Sequence, residues 1–239
     1  MGFQNYEIFI GETFKLVQFL LPFILFQMLF GTYIYQHFCT ASIYHFTRIN
    51  NRIKWFLKES VNLLIYCVSY VILLVVFTTV FFEISNTLTY DKESFIILVC
   101  YVLINSLFLF FITLLTNILS INFKSHVGFM ISNGFVLACI SIFIYWDDKL
   151  AFYKTENINI EDIQSDGKLI QLNPISHLVI KWHSSNIETV NERINQFGIN
   201  FDLYSSVVLF LLLSILTIIV GCLIVKNKDF IITNTETGD

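Results

Sequence analysis

The chain has 239 residues, of which 56% are hydrophobic and 13% charged, with 26 Phe and 2 Pro. A soluble domain carries about a quarter charged residues, so this composition excludes an ordinary soluble domain and points to an integral membrane protein. The net charge of −4 says little, because the charges gather in a few connectors, and no basic domain or module supports nucleic-acid binding.

Residues 1–15 form a short N-terminal segment with Glu7 and Glu12 ahead of any apolar run, which argues against a cleaved secretory signal. Phe3, Tyr6, Ile10 and Phe14 fit a short helix lying on the bilayer. A first span is predicted over 16–38, long enough to cross roughly 30 Å of hydrocarbon. Pro22 should kink it, and Gln18 and Gln27 should face protein rather than lipid.

The connector 41–60, ASIYHFTRINNRIKWFLKES, follows. Phe46, Ile49, Ile53 and Phe56 recur at helical spacing, with Arg48 and Arg52 on the flank of that stripe and Lys54 and Lys58 on the polar side. This spacing predicts an amphipathic helix at a membrane surface, its stripe in the acyl boundary and its arginines on anionic lipid. Further spans are expected at 61–82, 95–119, 127–146 and 203–225. Tyr145 and Trp146, followed by Asp147 and Asp148, have the form of an aromatic belt meeting water.

The basic residues of the short connectors, Arg48, Arg52, Lys54, Lys58, Lys124, Lys226 and Lys228, all fall on one side when five spans alternate. The positive-inside rule makes that side cytoplasmic. It places the hydrophilic region 147–202 and the N-terminus outside, and the C-terminus inside with the tail 229–239.

In the outer region, Asn173 and Pro174 fit a helix start. Ile175, Leu178, Val179 and Trp182 give that helix an apolar face. Ser185 and Glu188 fit a capping box opening a second helix, with Ile187, Val190, Ile194 and Phe197 as its stripe and Gly198 as its stop.

The five expected spans hold no Asp, Glu, Lys or Arg, which argues against a self-powered secondary transporter. No phosphate loop, HExxH or GxSxG motif is present, so no catalytic, cofactor-binding or metal-ligating residue is expected and the chain reads as a non-enzyme. His177 and His183, six apart, would not share one face of a helix. His37 and His45 have no carboxylate at useful spacing. Cys39, Cys67, Cys100, Cys139 and Cys222 read as small buried hydrophobes. Asn105, Asn117 and Asn133 are the polar residues expected at helix contacts. Gly128 with Ser132 and Gly134 with Ala138 mark expected close approaches.

The order of these elements resembles the membrane subunit of an ABC transporter of the type-2 exporter class. IYHFTRINNRIKWFLKES resembles the cytoplasmic coupling helix of such permeases. NPISHLVIKWHSS resembles a loop motif of small permeases in Gram-positive bacteriocin and antimicrobial-peptide cassettes. The likeness covers about residues 16–228. It departs from the class in one respect, since six spans with both ends in the cytoplasm are usual there and the first of them is missing. A late start, residues 1–15, or a partner would account for that.

The resemblance implies an all-α, polytopic transmembrane helix bundle with a cytoplasmic amphipathic coupling helix and a small extracellular helical region, in a bacterial cell membrane. It implies a separate ATP-binding cassette ATPase, a second permease copy (homo- or heterodimeric) and surrounding membrane lipids as partners. Coupling would fall to Arg48, Arg52, Ile53, Trp55 and Phe56, and the extracellular loop would present Asn173, Pro174, His177, Trp182 and His183. The implied function is export of a peptide or other amphipathic substrate, for bacteriocin export or self-immunity. The alternative is a stand-alone immunity or sensor protein that binds a ligand through its extracellular region without transport.

Overall fold

The computed structural model describes residues 21–44, 51–85, 91–155, 171–195 and 201–228. Apart from turns and one isolated bridge, the regular structure among them is helical. In chain order these helices are α1 (described over 21–30), α2 (Tyr33–Tyr44), α3 (Arg52–Ile84), α4 (Lys92–Phe123), α5 (Ser125–Thr155), α6 (Glu188–Ile194) and α7 (Leu203–Asn227). Four of them, α3, α4, α5 and α7, are long and apolar enough to cross a membrane. In hydrocarbon every backbone N–H and C=O must be satisfied inside the segment, and uninterrupted helices do that. The protein is an all-α, membrane-embedded helix bundle.

Two boundaries differ from expectation in ways that matter. The first expected span, 16–38, is broken in its described part at Gly31–Thr32, which separates α1 from α2 nine residues after Pro22. The expected surface helix 41–60 is not a separate element where it is described. Arg52–Ser60 forms the first turns of α3 and runs on without interruption for 33 residues, roughly 50 Å. The reason is local, because nothing between Arg52 and Ile84 breaks a helix. The one carboxylate in these first turns, Glu59, turns inward and accepts a hydrogen bond from the Tyr33 hydroxyl at 3.0 Å.

At the centre stands α4, which touches α2, α3, α5 and α7. One side of it carries a buried polar seam of Thr113, Thr116, Asn117 and Ser120. Gln27 of α1 donates through Nε2 to Thr113 Oγ1 at 2.8 Å, and Thr116 Oγ1 donates to Ser132 Oγ of α5 at 2.7 Å. Asn117 closes the break in the first helix: its Oδ1 accepts the Tyr35 backbone N–H at 3.0 Å. Of the three amides expected at helix contacts, Asn117 bridges helices, whereas Asn105 and Asn133 donate to carbonyls of their own helices, at Tyr101 and Phe129.

Around the seam, two apolar clusters stack along the bundle. One joins α4, α5 and the start of α7 to residues 175–182, through Phe108, Phe143, Trp182 and Phe210. The other joins α1 to α4 and the end of α7, through Phe26, Phe38, Phe56, Leu63 and Val225. Gly221 admits the second cluster, because a Cβ there would run into the Phe56 ring. Gly128 likewise lets α5 approach Ser120 of α4, but no described residue comes near Gly134, so the close approach expected at Gly134 and Ala138 is not made among the described residues of the chain. Of the five cysteines, Cys67, Cys100 and Cys139 are buried, and Cys39 and Cys222 are half-buried.

The connection from α4 to α5 is a single residue, Lys124, at φ 116° and ψ 157°. That backbone region belongs to glycine, and holding a lysine there costs roughly 1–3 kcal/mol. Lys124→Gly is therefore expected to raise stability by about 1 kcal/mol net of the added unfolded-state freedom, read by reversible unfolding in mixed micelles. Asn117→Ala should cost about 1–2 kcal/mol in the same measurement, because it orphans a buried backbone donor. Asn105→Ala, which loses only a bond to its own helix, should cost little.

Candidate functional site

The two ends of the bundle are built differently. At one end the basic residues gather. Asn51 caps α3, its Oδ1 accepting the Lys54 N–H at 3.2 Å. Arg52 Nη1 donates to the Lys228 carbonyl at the end of α7 at 2.8 Å, and Lys228 Nζ donates to the Asn122 carbonyl at the end of α4 at 3.3 Å. Three connectors far apart in sequence thus lie side by side, as the alternation of spans predicts. Cations at these helix C-termini also complement the helix dipoles.

The predicted coupling residues separate here. Arg48 lies outside the described residues. Phe56 is fully buried against Gly221, and Ile53 and Trp55 are half-buried, with Trp55 6.0 Å from the Phe38 ring. The described part of the predicted apolar stripe therefore faces the bundle. On these first turns Lys54, Leu57 and Lys58 are exposed. His37, for which the sequence offers no nearby carboxylate, has Nδ1 3.3 Å from Glu59 Oε2, a pairing across 22 residues that only the packing of α2 on α3 creates.

At the other end, residues 171–195 and 201–202 form a cap seated on α4, α5 and α7. Asn173 anchors its start: Nδ2 donates to the Cys139 carbonyl of α5 at 2.7 Å, while Oδ1 accepts the Ile175 N–H at 3.0 Å. Asn173 and Pro174 therefore open a turn, and the predicted first helix is replaced by two 3-10 turns, Ser176–Leu178 and Ile180–Trp182. An α-helix would point Trp182 and His183 in different directions. The tighter turns bury both, with Trp182 4.8 Å from the Phe143 ring.

The predicted capping box is also absent. Ile187 is the N-cap of α6 and makes no side-chain bond. Ser185 instead uses its Oγ to accept the Ile187 N–H at 3.3 Å and donates its own N–H to Asn191 Oδ1 at 3.1 Å. The predicted stop, Gly198, falls outside the described residues.

His177 and His183 meet after all, through a third residue. His177 Nδ1 and His183 Nε2 each lie 2.8 Å from Ser206 Oγ in the first turns of α7. All three side chains are buried. The outer ring nitrogens face carbonyls, His177 Nε2 on Gln171 O at 2.9 Å and His183 Nδ1 on Val179 O at 3.0 Å. A parallel bridge holds Ser184 beside Asp202: Ser184 donates its N–H to Phe201 O at 2.7 Å and accepts the Leu203 N–H at 3.2 Å. Burial pushes the His177 pKa below the usual histidine range and the His183 pKa down to about 4, against a smaller upward pull from the Val179 carbonyl. No spacing rule signals this convergence, because Ser206 lies within an apolar run that reads as span.

Two ion pairs pin the cap at its rim, Lys181 with Asp147 of α5 at 3.0 Å and Arg193 with Asp91 before α4 at 2.9 Å. Between α1, α3 and α4 a largely apolar cavity of about 370 Å³ is lined by Pro22, Tyr70, Leu74, Thr78, Tyr101 and Asn105 among others. Among the described residues, no three His, Cys, Asp or Glu side chains gather as metal ligands. No family model, curated protein or solved structure matches the chain.

Trp182→Ala is expected to cost about 3–5 kcal/mol and to unseat the cap, seen as faster proteolytic nicking within 171–195. Arg193→Ala, whose ion pair is nearly half exposed, should cost under about 1 kcal/mol and leave the nicking rate near that of the parent chain.

Proposed function

We propose that this chain is the membrane-spanning permease subunit of an ABC transporter of the type-2 exporter class, exporting a peptide or other amphipathic substrate in bacteriocin export or self-immunity. The observation that carries the reading is the basic end. There the first turns of α3 expose Lys54, Leu57 and Lys58 while Arg52 ties the same turns to the end of α7. By the positive-inside rule that end is cytoplasmic, where a separate ATPase subunit docks on the exposed face. Phe56 and Trp55 then act behind the docking face. They pass its displacement into α7 and α2, because packed side chains move as a unit rather than deform.

The expected spans hold no charged residue, so the work of transport comes from the ATPase. The cavity between α1, α3 and α4, apolar with Tyr70, Tyr101 and Asn105 at its wall, supports an amphipathic cargo. A second permease copy completes the path, and the cap lies on the outer face of the cell membrane.

The test is co-purification in mild detergent, with Lys54→Glu and Lys58→Glu introduced together. Both side chains are exposed, so the variant should reach the membrane at normal yield and lose the associated ATPase by at least tenfold. An ATPase retained in full by the variant would remove the docking assignment. A parent chain that purifies intact with no ATPase would favour the stand-alone immunity or sensor reading, in which the cap itself is the binding element.

A further inference from the structure

The histidine pair and Ser206 form a chain of four close polar contacts: Gln171 O to His177 Nε2, His177 Nδ1 to Ser206 Oγ, Ser206 Oγ to His183 Nε2, and His183 Nδ1 to Val179 O. They span 2.8 to 2.9 Å at His177 and 2.8 to 3.0 Å at His183, so each needs a hydrogen between its two heavy atoms. A carbonyl can only accept, so the outer nitrogens carry the ring hydrogens. Two neutral imidazoles and one hydroxyl supply three hydrogens for four contacts. Whichever tautomers are chosen, one contact is left as two lone pairs facing each other in a buried place, an arrangement the interior penalises. One added proton completes the chain.

We infer that the cap holds a proton-binding site, in which one proton is shared between His177 and His183 through the Ser206 hydroxyl. One ring is then an imidazolium donating to Ser206 Oγ, and the hydroxyl donates onward to the other ring.

The surroundings suit a cation. Phe201 lies against both rings, its centroid 4.4 Å from His177 and 5.1 Å from His183, and Phe210 stands 5.9 Å from His177, within the reach of a cation–π contact. The charged group acting on His183 is Asp202 at the N-cap of α7, which favours its protonated form. Of the remaining charges around the cap, Lys181 is paired with Asp147 and Arg193 with Asp91, and Glu188 and Glu192 on α6 are exposed. Against the cap, α4 presents Cys100, Ile104 and Phe108, and α5 presents Cys139, Ile140 and Phe143. Burial opposes the charge: it is the largest influence lowering both rings, and with the smaller ones around it His183 is brought down to about 4. The missing hydrogen acts the other way. Since the site joins the cap to α7, its occupancy ties that contact to the pH on the cap side of the membrane.

The two influences part company at about pH 5.5, between the burial-depressed value and the ordinary histidine value of about 6.5. The experiment is nitrogen-15 NMR of the full chain, histidine-labelled, in lipid nanodiscs at that pH, with resonances assigned by His177→Gln and His183→Gln. The expected spectrum has one ring of the pair protonated on both nitrogens and its partner neutral. Ser206→Ala removes two of the four contacts, so the two carbonyls are met by neutral rings and the doubly protonated signal should be lost. Two neutral rings in the unaltered chain at about pH 5.5 would overturn the proposal. A signal that survives Ser206→Ala undiminished would overturn the role of the hydroxyl.

Discussion

The bond from the Tyr35 backbone N–H to the Asn117 side chain is the constraint on which much of the bundle turns. A helix broken at Gly31–Thr32 leaves backbone groups that lipid cannot satisfy, and broken helices persist in membranes only where protein answers for them. Asn117 is fixed for that task, since its Nδ2 donates to the Thr113 carbonyl at 2.8 Å. Thr113, one turn before it, and Thr116, beside it, hold Gln27 and Ser132, so α1, α2 and α5 are all registered against one face of α4. Apolar packing alone would leave the rotation of these helices about their axes weakly determined, because lipid tails are as apolar as their side chains. The polar seam removes that freedom.

From this middle the bundle diverges toward its ends. The basic end is fastened by cationic side chains reaching carbonyls at the ends of α4 and α7. These bonds use backbone groups that helix termini leave open in any case, so the fastening adds no buried charge. The cap end is fastened by aromatic burial around Trp182, Phe143 and Phe201, and the ion pairs among the described residues there lie at the rim. One end is therefore sensitive to charge and salt, and the other to packing and protonation.

Hydropathy made the membrane helices legible, since four long apolar runs admit few other structures. The alternation of basic connectors also told which helix ends lie together, and the Arg52–Lys228–Asn122 contacts bear that grouping out. What periodicity could not supply was where one helix ends and another begins. The stripe of Ile53 and Phe56 looks like a surface helix in isolation, but a stripe facing lipid and a stripe facing a neighbouring helix have the same spacing. Gly221, 165 positions after Phe56, decides between them. The His37–Glu59 contact and the His177–Ser206–His183 chain escaped for a related reason. Their partners sit on other elements, and Ser206 reads as an unremarkable member of a span.

The shape of α3 bears on how the proposed permease would work. A coupling helix lying flat on a membrane would need a hinge to pass motion to its span. Here the first turns of α3 and the span are one helix, and the buried Glu59, held by Tyr33 and close to His37, ties those turns to α2 as well. A displacement applied at Lys54 or Lys58 is then felt at once by α2 through Glu59, by α7 through Arg52 and Phe56, and along the whole length of α3. Such a lever rotates rather than bends. Its far end, where exposed Phe77, Phe81 and Ile84 line the helix, would sweep through the largest arc.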